Sequence, residues 1–473
     1  MRLTIPTRPA ILYISLLFVA RVFAQSAPDS QDRPWHSSGE QQIKDDAKRF
    51  RESGFRIEPE RVYSLAELVN LAETHNPETR VAWERARAQV AALGVARSEL
   101  YPTVAAVALS QITRAEVPLG SQFYRQTVQT FAGALELNYT IFDFGGRAGR
   151  IGAAGAELLR TNFAFNDTHR KIIYQVAQTY YRLLNASGQE DAARASLTNA
   201  QTAQQAAEDR LKQGLATLPD VLEARSATAQ AQYDLQAALG VSEIARGDLA
   251  TALGTRPTVV IQVQPLGQLP IPESLGDSVD QAINRAFDER PDLLQQVAEV
   301  RRVNATVKEA RAAYYPTLTF KATPSAQSLY FFQQTLPWGH TAGLLGGLSV
   351  NLNWTLFDGG ARKNNLARAE ANVRAAEAQV SASRDQIADE VWRAYSNVNT
   401  ALRQRQAAIA LLEAASQSYG AALESYNSGV RSFLDVTAAQ RTLAQARSAD
   451  VLARTQVLTT LVDLAFGTGS LLR

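Results

Sequence analysis

Two stretches of the chain alternate apolar and polar residues with a period of two. Between residues 131 and 142, Phe131, Gly133, Leu135, Leu137, Tyr139 and Ile141 fall on one face. Ala132, Ala134, Glu136, Asn138 and Thr140 fall on the other. Further on, Leu348, Val350, Leu352, Trp354 and Leu356 oppose Ser349, Asn351, Asn353 and Thr355. Side chains alternate across a strand, so each stretch predicts a strand with one apolar and one polar face. Residues 103–113 and 317–323 carry a weaker form of the pattern. A sheet packed on a soluble core also alternates. A barrel strand crosses a membrane in ~9–11 residues, a length these stretches reach. Tyr139 and Trp354 sit at matching places near one strand end, where interface aromatics belong.

The period changes to seven beyond each strand. Ile151, Leu158, Phe165, Ile172, Thr179, Ala186, Ala193, Ala200 and Ala207 form one stripe. Leu366, Val373, Val380, Ile387, Ala394, Ala401 and Ala408 form its counterpart. That spacing marks left-handed coiled-coil packing. No proline lies between Pro118 and Pro219 or after Pro337, so long helices over about 146–214, 220–252, 360–429 and 435–466 are permitted. The longest would span roughly 100 Å. Alanine also fills other faces, at Ala367, Ala371, Ala375 and Ala378, which lets helices approach from two sides and favours a hollow tube of helices.

These patterns belong to a duplication. Asn76-Pro77-Glu78 answers Arg290-Pro291-Asp292, and Tyr101-Pro102-Thr103 answers Tyr315-Pro316-Thr317. Phe142-Asp143 answers Phe357-Asp358, each beside a glycine pair, Gly145-Gly146 and Gly359-Gly360. Gly214 with Asp220-Val221 answers Gly429 with Asp435-Val436, and Leu253-Gly254-Thr255 answers Phe466-Gly467-Thr468. Five matches in order, at a nearly constant offset, define a repeat over 61–254 and another over 277–473. Each holds two strands, about 103–113 and 128–142 in the first, 317–330 and 343–357 in the second. Four strands per chain are too few for a pore-sized barrel, so several chains would have to contribute. Residues 255–276, with Pro257, Pro265, Pro270 and Pro272, read as a connector, and the polar residues 25–60 as a linker or arm.

Composition narrows the class. Arg2 and Arg8, the apolar run Ala10–Ala20 and Val22-Phe23-Ala24 predict a cleavable export signal over 1–24. Its loss takes the formal net charge from +2 to −1, a balance that points to no nucleic-acid partner. The chain has no cysteine, which excludes disulfides, Cys-ligated metals and a lipid anchor on cysteine. His36, His75, His169 and His340 are scattered and form no metal-ligand pair. Gly145–Gly152 follows a strand as a phosphate loop would, but lacks the G-x-G-x-x-G spacing. We therefore expect no enzyme, no cofactor and no metal.

Taken together, the duplicated halves, the Tyr-Pro before each strand, the Phe-Asp-x-Gly-Gly and Phe-Asp-Gly-Gly junctions and the Gly-x-x-x-x-x-Asp-Val turns resemble the TolC family of outer-membrane factors. The resemblance covers roughly residues 61–470. It implies a homotrimer whose 12-stranded transmembrane β-barrel stands in outer-membrane lipid and whose long α-helical barrel extends into the periplasm. It implies a passive duct for drugs, metals or proteins, serving an inner-membrane pump directly or through a periplasmic adaptor. By position, Tyr426, Arg431 and Asp435 look like gate residues at the periplasmic tip, with Asp220 as the acid Tyr426 would meet. A second family aspartate is Ala438 here. Thr217-x-x-Asp220 and Ser432-x-x-Asp435 also fit helix capping boxes, and Gly214 and Gly429 fit helix ends. The competing reading is a periplasmic coiled-coil adaptor or scaffold without a pore, which leaves the apolar strand faces unexplained.

Overall fold

The computed structural model describes residues 31–32, 39–49, 57–58, 60–333 and 336–472. The expected export signal lies outside them. The stretch read as a linker or arm holds a helix, α1 (Glu40–Arg49), which belongs to a unit separate from the rest of the chain. An i,i+4 pair of Glu40 and Lys44 supports it. The second unit carries everything else.

That unit begins with β1 (Val62–Tyr63), α2 (Leu65–His75) and α3 (Pro77–Ser98). A capping box of Ser64 and Glu67 starts α2, and Asn76 followed by Pro77 starts α3. Then come β2 (Thr103–Leu119), β3 (Gln122–Phe142), α4 (Gly146–Lys212) and α5 (Leu218–Ala252). The connector supplies β4 (Gln262–Val263), which pairs in parallel with β1 and ties the connector to the start of the first repeat. The second repeat follows with α6 (Val279–Glu289), α7 (Pro291–Ala312), β5 (Thr317–Ala322), β6 (Ser325–Gln333), β7 (Leu336–Leu345), β8 (Leu348–Asn353), α8 (Ala361–Asn427) and α9 (Phe433–Thr468).

The sheet runs in four antiparallel lanes. β2 pairs with one edge of β3, while β5 and β6 lie end to end along the other. β8 and β7 continue the same way beside β5 and β6. Each second-repeat lane is interrupted once. Pro324 has no N–H to give the ladder, and it separates β5 from β6 while its carbonyl accepts from Leu135 N at 2.9 Å. Opposite it, Gly346-Gly347 separates β7 from β8, and Thr323 and Gly347 exchange backbone bonds of 2.8 and 3.4 Å across the gap. The last strand also stops earlier than its alternation predicts, at Asn353, and Trp354 Nε1 donates to the Tyr314 carbonyl at 3.1 Å.

The strand-to-helix junctions correct the sequence alignment by one place. Gly145 (φ 99) matches Gly360 (φ 88), so the partner of Gly359 (φ 65) is Phe144 (φ 52), not a glycine. Phe144 holds a left-handed backbone that a bulky residue rarely takes. Its ring is fixed edge-on by Phe142 at 4.7 Å and stacked on Tyr315 at 5.0 Å. Gly146 opens α4, where a Cβ would stand 2.9 Å from Asp143 Oδ2.

α4 and α8 have 67 residues each, so each is about 100 Å long. Far from the sheet, α5 and α9 fold back along them. Nearer the sheet, α3 and α7 flank α4, and α7 also packs on α8. Gly149 permits the α4–α7 crossing, because a Cβ there would meet Glu309 N at 2.7 Å. The heptad stripe becomes the seam. Ile172, Ala186, Ala200 and Ala207 are buried in α4, and Ile387, Ala401 and Ala408 in α8. Ala367, Ala371, Ala375 and Ala378 stay exposed on the single chain.

Candidate functional site

Residues directly opposite in neighbouring strands share a face, so the register maps the sheet's apolar side row by row. Val104, Leu137, Ala322 and Leu348 form one row, and Tyr139, Phe320 and Val350 the row nearer the helices. Trp354 follows beyond Leu352. In the other direction come Ala108, Gly133, Ala326 and Leu344, then Ser110, Phe131, Ser328 and Ala342. The next rows hold Ile112, Gln129, Tyr330 and His340, then Arg114, Thr127 and Phe332. Tyr330 stacks on His340 at 4.3 Å, and Phe332 meets Trp338 at 5.2 Å. The sheet therefore carries two aromatic belts. Tyr139 and Trp354 stand in the inner one. The outer belt of Tyr330, Phe332 and Trp338 was missed from the sequence, because Pro324 breaks the alternation before it.

The belts are ten residues apart along β3, from Tyr139 to Gln129 beside Tyr330. At ~3.4 Å per residue and a tilt of ~40°, that is a height of about 26 Å, against the ~25 Å apolar band of a transmembrane barrel. The band is bare on the single chain: Leu344 is 88% and Leu348 79% exposed. The opposite face carries Glu136, Asn138, Thr140, Lys321, Ser349 and Asn351. Among the described residues β2 pairs only with β3, and β7 and β8 only with β6 and β5, so both outer edges of the sheet are open.

At the far end of the helices the two turns lie side by side. Gly214 and Gly429 both have φ 74 and end α4 and α8. Asp220 accepts from Thr217 N and Oγ1, both at 2.8 Å, and Asp435 from Ser432 N at 3.2 Å and Oγ at 3.0 Å. Both acids thus cap their own helices. Tyr426 is buried, with its ring edge-on to Phe433 at 5.3 Å. Its hydroxyl has no hydrogen-bond partner among the described residues, so it is not bonded to Asp220. Burial, and then the charge of Asp220, push its pKa up, while Arg210 opposes the shift. Arg431 is exposed and without a side-chain partner within the chain among the described residues. The residue that joins the turns is Arg210, which no motif marked. Its Nη1 donates to the Asn427 carbonyl at 2.7 Å and its Nη2 to Leu215 at 3.3 Å, and its guanidinium lies 4.9 Å from the Tyr426 ring centre.

Midway along the helices the repeat motifs meet in space. Asn76 donates to the Ala252 carbonyl at the end of α5, at 3.3 Å. Its counterpart Arg290 donates to the Gly467 carbonyl at the end of α9, at 3.2 Å. Arg290 also pairs with Asp292 at 2.6 Å and Glu390 at 2.7 Å. Arg170 joins from α4, pairing with Asp167 at 2.7 Å and Asp292 at 3.2 Å and donating to the Phe466 carbonyl at 3.2 Å. Burial would raise the Asp292 pKa, but the Arg290 hydrogen bond and the charges of Arg170 and Arg290 outweigh it and hold it at about 2. An unfolded Asp titrates near ~3.9. The stability from Asp292 is therefore complete above that value and is lost as pH falls toward 2. We expect thermal unfolding between pH 5 and pH 3 to show a steeper loss of midpoint for the native chain than for Asp292→Asn. Equal slopes would remove Asp292 from the account.

Open sheet edges, a bare apolar band between two aromatic belts and paired ~100 Å helices define a membrane-standing duct subunit. The chain belongs to the outer membrane efflux protein family, whose model matches residues 68–255 and 282–470, one match to each repeat. It is 29% identical over 412 residues to Protein CyaE of Bordetella pertussis, covering 86% of this chain and 84% of that one. Its fold matches the outer-membrane channel OprN with a TM-score of 0.75 at 21% identity, over 87% of this chain and 93% of that one. CusC matches with a TM-score of 0.74 at 19% identity, over 88% and 95%. The chain is an outer-membrane channel protein of export, with a TolC-like fold.

Proposed function

We propose that three chains close side by side, β2 of one against β7 and β8 of the next, into a single 12-stranded barrel continued by a helical tube. The observation that supports this is the pair of open sheet edges flanking an exposed apolar band. Four lanes fill too little circumference alone. The exposed alanines of α8 supply the close helix contacts the tube needs. The chain is exported by its cleaved signal, carries no lipid on cysteine, and passes cargo chemically unchanged. Its partners are a periplasmic adaptor and an inner-membrane pump, met at the end formed by the two turns. Asp435, besides capping α9, stands with Arg431 where three copies converge, and there the ring of carboxylates sets the charge of the closed tip.

Planar bilayers test this reading. The mature protein, extracted in detergent, should give stepwise conductance, and Asp435→Ala should weaken cation affinity at the closed tip. A mature protein that stays soluble without detergent and forms no conducting steps would rule out the channel. Unchanged cation block in Asp435→Ala would leave that residue as a cap only.

A further inference from the structure

Among the described residues, five charged ones lie in the strands: Arg114, Glu116, Arg125, Glu136 and Lys321. Their placement is not random. Glu136 and Lys321 fall on the polar face, beside Asn138. The other three fall on the lipid face, and all three lie at or beyond the outer aromatic belt. Arg114 stands opposite Thr127, in the row of Phe332, and Arg125 opposite Glu116 in the next row outward. Between the belts the lipid face holds no charge among the described residues.

We propose that Arg114 and Arg125 bind the phosphate of an anionic glycolipid in the outer leaflet of the membrane. This rests on the reading of the sheet as a barrel wall. The height fits: at ~3.4 Å per residue, Arg125 lies about 10 Å above the Tyr330 row at the same ~40° tilt, which is headgroup level. The ladder continues past the second hairpin, since β6 pairing ends at Gln126 while β2 and β3 stay paired to Gln122. The arginines therefore rest on ordered backbone. They are diagonal neighbours across the ladder, ~7–8 Å apart at most between Cβ atoms, so both guanidinium forks reach one phosphate. Both are exposed and form no ion pair within the chain among the described residues, although Glu116 faces Arg125 directly. Two free cations beside one acid leave the patch positive. Phe332 and Trp338 flank it on the acyl side, where an amphipathic lipid places its sugar–chain boundary.

Native mass spectrometry of the detergent-extracted assembly with lipid A tests the assignment. The double variant Arg114→Gln/Arg125→Gln should bind lipid A roughly 30-fold more weakly, from the loss of two cations at a lipid surface. Lys321→Gln, on the polar face, should bind as the native chain does. Lipid A stripped of its phosphates should bind the native chain no better than intact lipid A binds the double variant. Equal lipid A binding by the double variant and native chain would overturn the proposal. So would displacement of lipid A by inorganic phosphate alone, which would make this a free-anion site. Failure of the barrel reading would show separately, as an absence of conductance from the native chain.

Discussion

Replacing Arg170 with Met should lower the thermal midpoint of the assembled channel more than loss of any surface ion pair. Arg170 is 1% exposed. Its guanidinium holds Asp167, Asp292 and the Phe466 carbonyl at once and stands 4.3 Å from the centre of the Phe466 ring. Methionine fills much of the volume but leaves Asp167, itself nearly buried, with only the exposed Lys171 at 2.7 Å among the described residues. Breaking a buried pair from one side costs about 3–5 kcal/mol, because the remaining charge stays desolvated. Unfolding entropy of ~2.1 cal/mol/K per residue makes each kcal/mol worth about 1 °C in a chain of this size, so a fall of roughly 3–5 °C is expected. Arg170→Met/Asp167→Asn should recover part of the loss, since it removes the stranded charge. Arg194→Met, which breaks an exposed pair with Glu190, should move the midpoint by under about 1 °C. Scanning calorimetry compares the three, and an Arg170→Met midpoint within error of the native one would refute the clamp.

That clamp shows which parts of the molecule the sequence exposes. Periodicity is local, so the strands around 131–142 and the heptads around Ile172 and Ile387 can be read from spacing alone. The repeat motifs could be aligned, but their purpose is spatial. Asn76 and Arg290 match in sequence because both bond the end of a helix more than 170 residues away, at Ala252 and Gly467. No pattern along the chain announces such a contact. Phe144 misled the alignment for a related reason. Its left-handed backbone is held by Tyr315, a residue of the other repeat, so a rule about glycine at turns shifted the junction by one place. The outer belt was hidden by Pro324, which breaks the period but not the lane.

At the tip the consequence is larger, because Arg210, which bonds across the two turns, is not among the residues marked by resemblance. Arg210 links the end of α8 to the first turn, and Arg431 is exposed, with no side-chain partner among the described residues. Arg210→Met should therefore favour an open tip. It removes two hydrogen bonds from a charged donor and a cation–π contact, while Tyr426 keeps its edge contact with Phe433. Two partly exposed bonds and one ring contact are worth about 2–3 kcal/mol together, which raises the open population by roughly 30–150-fold. Arg210→Lys should fall between, since an ammonium keeps the charge but loses the fork that reaches both carbonyls. Because each turn keeps its own capping box and glycine, the helices should still fold, and circular dichroism should not change. The discriminating measurement is single-channel recording. Higher open probability for Arg210→Met, graded through Arg210→Lys, assigns the latch to the first repeat. If Arg210→Met closes as tightly as the native chain while Arg431→Met opens, the tip is held by contacts between chains, and the Arg210 bonds only shape each subunit.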